Sequence, residues 1–176
     1  PSTFMAVSIR QATVEDVESL RNLAIRTFCD TFAEDSEPDD MAAYMQTAFS
    51  LEQVRAEVLD ESSLFLLLFD DECDVPTGYA KLRMDRVETC VRGVHPIELE
   101  RLYVDKSVLR KGYGSALVKA AIEQARELGH DVLWLGVWEY NERAIAFYKR
   151  WGFEQVGEHP FVLGDDHQTD WIMQRS

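Results

Sequence analysis

The stretch Arg110-Lys111-Gly112-Tyr113-Gly114-Ser115-Ala116 decides the fold, because of what stands on either side of it. Upstream, residues 97–104 alternate: Ile97, Leu99, Arg101 and Tyr103 fall on one side of an extended chain and Glu98, Glu100, Leu102 and Val104 on the other, which predicts a strand. Downstream, residues 112–128 put Tyr113, Leu117, Ala120, Ala121, Gln124 and Leu128 in one helical stripe, with Gly129 as the stop. Residues 131–138 then form an apolar run of strand length. Strand, helix and strand in this order predict a right-handed crossover between parallel neighbours over 97–138. Gly112 and Gly114 let the chain turn tightly, and the first amides of the helix they open point outward without intrahelical partners, which makes an anion site. Lys106, Arg110 and Lys111 add positive charge there. The GxxxxGK[ST] and full GxGxxG patterns are absent, which argues against a P-loop and a dinucleotide fold.

Working outward, residues 7–10 read as a strand, and Thr13 caps a helix that carries Leu20, Leu23, Ala24 and Phe28 at core spacing. The acidic segment 33–40 leads through Pro38 into a second helix with Met41, Tyr44, Met45 and Phe49. Ser50 caps a third, with Leu51, Val54 and Val58 inward. Residues 64–69 are an unbroken apolar strand and 77–84 its hairpin partner, followed by a loop over 85–96. Asn141 opens a helix through Trp151 whose stripe is Ala144, Phe147, Tyr148 and Trp151, and strands near 153–161 and 169–173 finish the chain. The order β-α-α-α-β-β-β-α-β-α-β-β predicts a single α/β domain over 1–176, a mixed central sheet flanked by helices.

With 176 residues, 46% of them hydrophobic, the chain has the size and core material of one domain. Its 18 basic and 32 acidic side chains leave a net charge of −14, which argues against duplex nucleic acid as a partner. The acidity suits a cationic partner, and it equally suits plain solubility. Residues 1–96 hold 19 of the acids against 8 bases. Cys29, Cys73 and Cys90 lack CxxC spacing, so neither a disulfide framework nor a zinc site is indicated and a reducing cytoplasm is expected. The four histidines show no metal spacing and read as surface or hydrogen-bonded residues. Neither an export signal nor an apolar stretch long enough to cross a bilayer is present, so no membrane partner is expected.

Residues 104–117, Val-Asp-Lys-Ser-Val-Leu-Arg-Lys-Gly-Tyr-Gly-Ser-Ala-Leu, resemble the acetyl-CoA-binding motif of the GNAT superfamily of N-acetyltransferases, and Asn141-Glu142-Arg143-Ala144-Ile145-Ala146-Phe147-Tyr148 with Gly152-Phe153 resembles its second motif. The core match runs over about 97–154. Where the family pattern opens on Gln or Arg this chain has Leu109, a side chain the backbone cradle does not require. Residues 27–32, 134–139 and 161–170 are similar to the PaiA-type spermidine/spermine N-acetyltransferases.

The resemblance implies direct attack of a small amine or polyamine on acetyl-CoA in a ternary complex, with no metal, and a homodimer as the family's expected assembly. It assigns the backbone of Leu102, Tyr103 and Val104 to the pantetheine arm and acetyl carbonyl, and amides of Arg110, Lys111, Gly112, Tyr113, Gly114 and Ser115 to the pyrophosphate. Asn141 matches a cofactor-contacting asparagine and equally an N-cap; Tyr148 matches the general acid and equally a core aromatic. A phenol with an ordinary pKa of about 10 stays protonated at neutral pH and can protonate a departing thiolate. Glu98 and Glu100, on one side of the strand, are candidates to accept the ammonium proton, Glu98 slightly preferred; solvated surface carboxylates are the alternative. Glu34, Asp35, Glu37, Asp39, Asp40 and Glu139 are candidate contacts for further ammonium groups, with Trp138 and Tyr140 along the methylenes. Acetylation of a protein amino terminus, a lysine or another small amine, and a non-catalytic acyl-CoA-binding regulator, are the competing readings.

Overall fold

The computed structural model describes residues 7–32, 38–71, 73–109, 111–163 and 165–176. Its strands are β1 (Val7–Gln11), β2 (Ser63–Asp70), β3 (Gly78–Arg83), β4 (Pro96–Val104), β5 (Val132–Trp138), β6 (Glu154–Leu163) and β7 (Asp166–Arg175), and its helices α1 (Val17–Phe32), α2 (Pro38–Ala48), α3 (Leu51–Leu59), α4 (Tyr113–Glu127) and α5 (Glu142–Arg150). The strands form one mixed sheet in the order β1-β2-β3-β4-β5-β7-β6. The element order and the α/β class are those expected from the sequence.

Two compact units divide the chain, one comprising the described residues up to Lys81 with Arg101–Ala120, the other Leu82–Glu100 with Ala121–Ser176. The boundary falls within β3, β4 and α4, so each of these elements contributes to both units.

In the first unit, β1 pairs antiparallel with β2, Val7 opposite Asp70 and Gln11 opposite Leu66. The apolar spacing of the first helix is realised in the core: Val17, Leu20, Leu23 and Ala24 pack with Phe49 and Val54 against Phe65, Leu67 and Tyr79. Burying a leucine fully, as at Leu20 and Leu23, contributes about 2 kcal/mol. The first helix begins later than Thr13 suggests. Residues Val14–Asp16 form a 3-10 turn, because the Asp16 carboxylate accepts hydrogen bonds from the Thr13 amide at 2.8 Å and from Arg10 at 2.7 and 2.8 Å. Leu51, expected inward, is exposed as the first residue of α3, and Val54 alone of its three apolar positions is fully buried. Tyr44 is also exposed, its ring stacked on Phe28 at 5.1 Å.

In the second unit β4 and β5 run parallel, Glu98 opposite Trp134, as the crossover requires. β5 pairs antiparallel with β7, and β7 with β6. The last two strands are longer than expected, since backbone pairing continues to Leu163 opposite Asp166 irrespective of side-chain pattern. The buried stripe of α4 is Tyr113, Leu117 and Val118 in the part belonging to the first unit and Ala121 and Ala125 in the part belonging to the second. Leu128, placed in that stripe by spacing, lies beyond the helix end and is 47% exposed.

Candidate active site

The first unit carries the glycine-bearing turn. β4 ends at Val104, and Asp105 follows with its amide donating to Thr77 O at 2.8 Å. The Asp105 carboxylate caps a 3-10 turn over Lys106–Val108 by accepting from the Ser107 amide, and it accepts from Arg26 Nε at 2.7 Å. Burial pushes its pKa up, and the Ser107 and Arg26 hydrogen bonds outweigh that and hold it below the ordinary carboxylate value. Val108 is buried, which fixes the turn, whereas Lys111 and Gly112 are exposed. Gly112 has φ +81°, a left-handed conformation, and a Cβ there would meet nothing within 4 Å. The Ala116 amide makes the first bond into α4, to Gly112 O at 3.1 Å, so the amides of Tyr113, Gly114 and Ser115 precede the intrahelical ladder and are available to an anion. Tyr113 is buried and its hydroxyl donates to Asp70 Oδ2 at 2.8 Å, tying the helix start to β2. Against Gly78 on β3 a Cβ would stand 3.1 Å from Leu117 and 3.2 Å from Tyr103 O, so a side chain there would make its α4 and β4 neighbours give way by a few tenths of an ångström.

The positive charge expected here is partly neutralised, because Lys106 Nζ lies 3.6 Å from Asp30. Leu102, Tyr103 and Val104 are half-buried. Arg110 lies outside the described residues. The turn fits the pyrophosphate of acetyl-CoA in its exposed left-handed glycine, its adjacent lysine and its outward amides.

In the second unit Glu98 is 6% exposed, and its Oε1 lies 3.4 Å from Arg86 Nε. Glu100 is half-buried with Arg83 Nη1 3.7 Å away. Neither is a solvated surface carboxylate. Arg86 also bonds Glu88 at 2.9 Å and places its guanidinium carbon 5.4 Å from the Trp134 ring centre, and Glu88 lies 3.3 Å from His159 Nδ1. None of this is visible in the sequence, where 85–96 offers no periodicity and Arg86 no motif.

Asn141 caps α5, its Oδ1 accepting from the Ala144 amide at 3.2 Å. The apolar stripe expected on this helix is not core: Ile145 is its one buried residue, while Ala144, Phe147, Tyr148 and Trp151 are half-buried. The Tyr148 ring meets Phe147 and Phe153 edge-on at 5.3 and 5.5 Å. At the end of β5, Trp138 is 44% and Tyr140 69% exposed, with ring centres 5.4 Å apart. Trp138 stands opposite Asp170 on β7, and His159 on β6 stands opposite Asp170 from the other side. Directly opposed residues share a sheet face, so the carboxylate lies between an aromatic ring and an imidazole. Burial raises the Asp170 pKa, with the His159 charge opposing it. Asp170, a partly buried carboxylate opposite the end of β5, is not among the residues the sequence reading singled out. Of the acidic candidates, Glu139 is half-buried, Asp39 and Asp40 lie in the first turn of α2, and Glu34, Asp35 and Glu37 lie outside the described residues. Among the described residues no group of three or more His, Cys, Asp or Glu side chains is placed to hold a metal, and no helix is long and apolar enough to cross a membrane.

Residues 18–153 match the model of the acetyltransferase (GNAT) family. The chain belongs to that family. This acetyltransferase is 37% identical over 171 residues to an uncharacterized N-acetyltransferase of Lactobacillus delbrueckii subsp. lactis, an alignment covering 97% of each chain. It is 30% identical over 153 residues to a peptidyl-lysine N-acetyltransferase of Escherichia coli, covering 87% of this chain and 86% of that one. Its fold matches that of the PaiA N-acetyltransferase of Thermoplasma acidophilum, a structure in complex with coenzyme A, with a TM-score of 0.75 and 23% identity over 97% and 99% of the two chains. The acetyltransferase is thus an acetyl-CoA-dependent N-acetyltransferase of the GNAT type.

Proposed function

We propose that this acetyltransferase moves the acetyl group of acetyl-CoA to a primary amine of a polyamine such as spermidine or spermine, by direct attack in a ternary complex. The observation that carries the reading is the end of β5, where exposed Trp138 stands opposite Asp170 and its ring meets that of exposed Tyr140. A flexible chain of methylenes between ammonium groups needs apolar faces alternating with partly desolvated carboxylates, and this surface supplies both. The net charge of −14 attracts such a polycation from a distance.

The acetyl donor supplies a thioester, and the chain's own groups do the rest. Backbone groups of Leu102, Tyr103 and Val104 hold the pantetheine arm, and amides over 111–115 with the Lys111 side chain hold the pyrophosphate. Asn141, which the family resemblance assigns to the cofactor, keeps its capping bond to the Ala144 amide. Glu98, or Glu100, takes a proton from the substrate ammonium, directly or through one water. The amine nitrogen then bonds the acetyl carbon as the carbon–sulfur bond breaks. Tyr148 gives its phenolic proton to the departing sulfur, and the second proton lost by nitrogen restores it. Holding the reactants in line contributes most of the acceleration.

Acetylation of peptidyl lysine is the second reading, favoured by the named activity of the Escherichia coli relative. A panel of spermidine, spermine, lysine-containing peptides and free peptide amino termini, assayed with acetyl-CoA by release of free thiol, separates the two. Selective turnover of the polyamines supports the first reading; selective turnover of the lysine peptides replaces it. Tyr148→Phe is expected to slow thiol release by about 100-fold as a lost general acid, and undiminished release removes Tyr148 from the mechanism.

A further inference from the structure

Glu98 is buried, and the ordinary consequence of burial is a carboxylate driven toward its neutral form, which cannot accept a proton. A cation beside it opposes this. Arg86, on the loop after β3, has its Nε 3.4 Å from Glu98 Oε1 and its guanidinium carbon 5.4 Å from the ring centre of Trp134, the residue paired with Glu98 across β4 and β5. Its Nη2 is held 2.9 Å from Glu88 Oε1, and the same oxygen lies 3.3 Å from His159 Nδ1 on β6. Arg86 is therefore gripped at two points other than Glu98, a ring beneath and a carboxylate beside. Its side chain is 43% exposed, so packing of its own stem does not account for the arrangement.

We infer that Arg86 is a positioning residue of the transfer reaction, which holds the Glu98 carboxylate ionised and oriented on the sheet face where the acceptor amine loses its proton. The other charged groups around this face are Arg83 with Asp85 and Glu100, Glu88, His159 and Asp170. Arg83 couples electrostatically to Glu98 as well as to Glu100, so Glu98 keeps cationic company when Arg86 is replaced. Arg86 contacts Glu98 directly and is itself fixed by Trp134. The kinetic part of the inference rests on Glu98 as proton acceptor; the electrostatic part does not.

The test is a titration of the full chain labelled with 13C at the glutamate carboxyl carbons, the Glu98 resonance being assigned from Glu98→Gln, together with the pH profile of kcat/KM. Arg86→Met is expected to raise the Glu98 midpoint by about one pH unit and to carry the acid limb of kcat/KM upward by the same amount. Arg86→Lys restores most of both, and Arg86→Gln serves as the neutral variant if the methionine variant does not fold. An unmoved Glu98 midpoint in the neutral variants overturns the inference. A moved midpoint with an unmoved acid limb retains Arg86 as the residue that sets the charge of Glu98 and removes Glu98 from the proton-accepting role.

Discussion

Tyr113, the first residue of α4, donates its hydroxyl to Asp70 Oδ2 at 2.8 Å, joining the start of the helix that follows the glycine turn to the last residue of β2. Burial, and then the bond to Asp70, push the phenol up to about 12. Tyr113→Phe is expected to lower stability by about 1 kcal/mol in urea unfolding and to raise KM for acetyl-CoA with little change in kcat, because the helix start shifts while the reacting groups do not. The phenol's folded pKa lies above its ordinary value of 10, so its contribution is full below about pH 10 and is lost as pH rises toward about 12.

Gly112 tests whether the turn acts through its backbone. The space around a Cβ is open, so the penalty for replacing it is conformational and not steric. Gly112→Ala should cost about 1 kcal/mol and raise KM for acetyl-CoA several-fold, whereas Gly112→Asn, a residue that tolerates the left-handed region, should lose less of both. Equal loss with Ala and Asn would place the effect in the side chain.

Lys81 and Glu57 make a buried ion pair at 2.8 Å, with side chains 5% and 15% exposed, and Arg101 stands 3.3 Å from the same Glu57 oxygen. Glu57→Ala leaves Lys81 buried without that carboxylate and should cost about 3 kcal/mol. Glu57→Leu combined with Lys81→Met should recover most of the loss, as a denaturation midpoint series will show.

Asp16 gives the acid side of the stability profile. The Arg10 hydrogen bonds hold its carboxyl down at about 2, from an ordinary value of 3.8. Its contribution is full above about pH 4 and is lost as pH falls through about 2. The stability gap between the protein and Asp16→Asn should therefore be constant from pH 7 to 5 and close progressively below pH 4, and a gap that persists to pH 2 would mean that the capping geometry and not the charge carries it. Half of the Arg10 side chain is exposed, so added salt should narrow the gap at every pH.

The acidic surface itself is testable through salt. If it gathers a polycation, KM for spermine should rise steeply between low and physiological ionic strength while KM for a monoamine changes little. Equal salt dependence for both amines would confine the charge to solubility.

Periodicity and punctuation in the chain determined the order of strands and helices, the crossover over 97–138 and the glycine turn that opens α4. Each rests on residues a few positions apart, and steric and hydrogen-bond rules act at that range. The same local reading put Leu128 and Leu51 in the core and left Tyr148 undecided between core and site, because spacing gives the face of a helix and not what covers it. Tertiary structure alone decided that Glu98 is buried against Arg86, that Asp170 stands between Trp138 and His159, and that Asp105 is held by Arg26, 79 positions away. A carboxylate's charge and reach depend on which cation and how much solvent surround it. In this protein those neighbours come from loops and strands that no local pattern links.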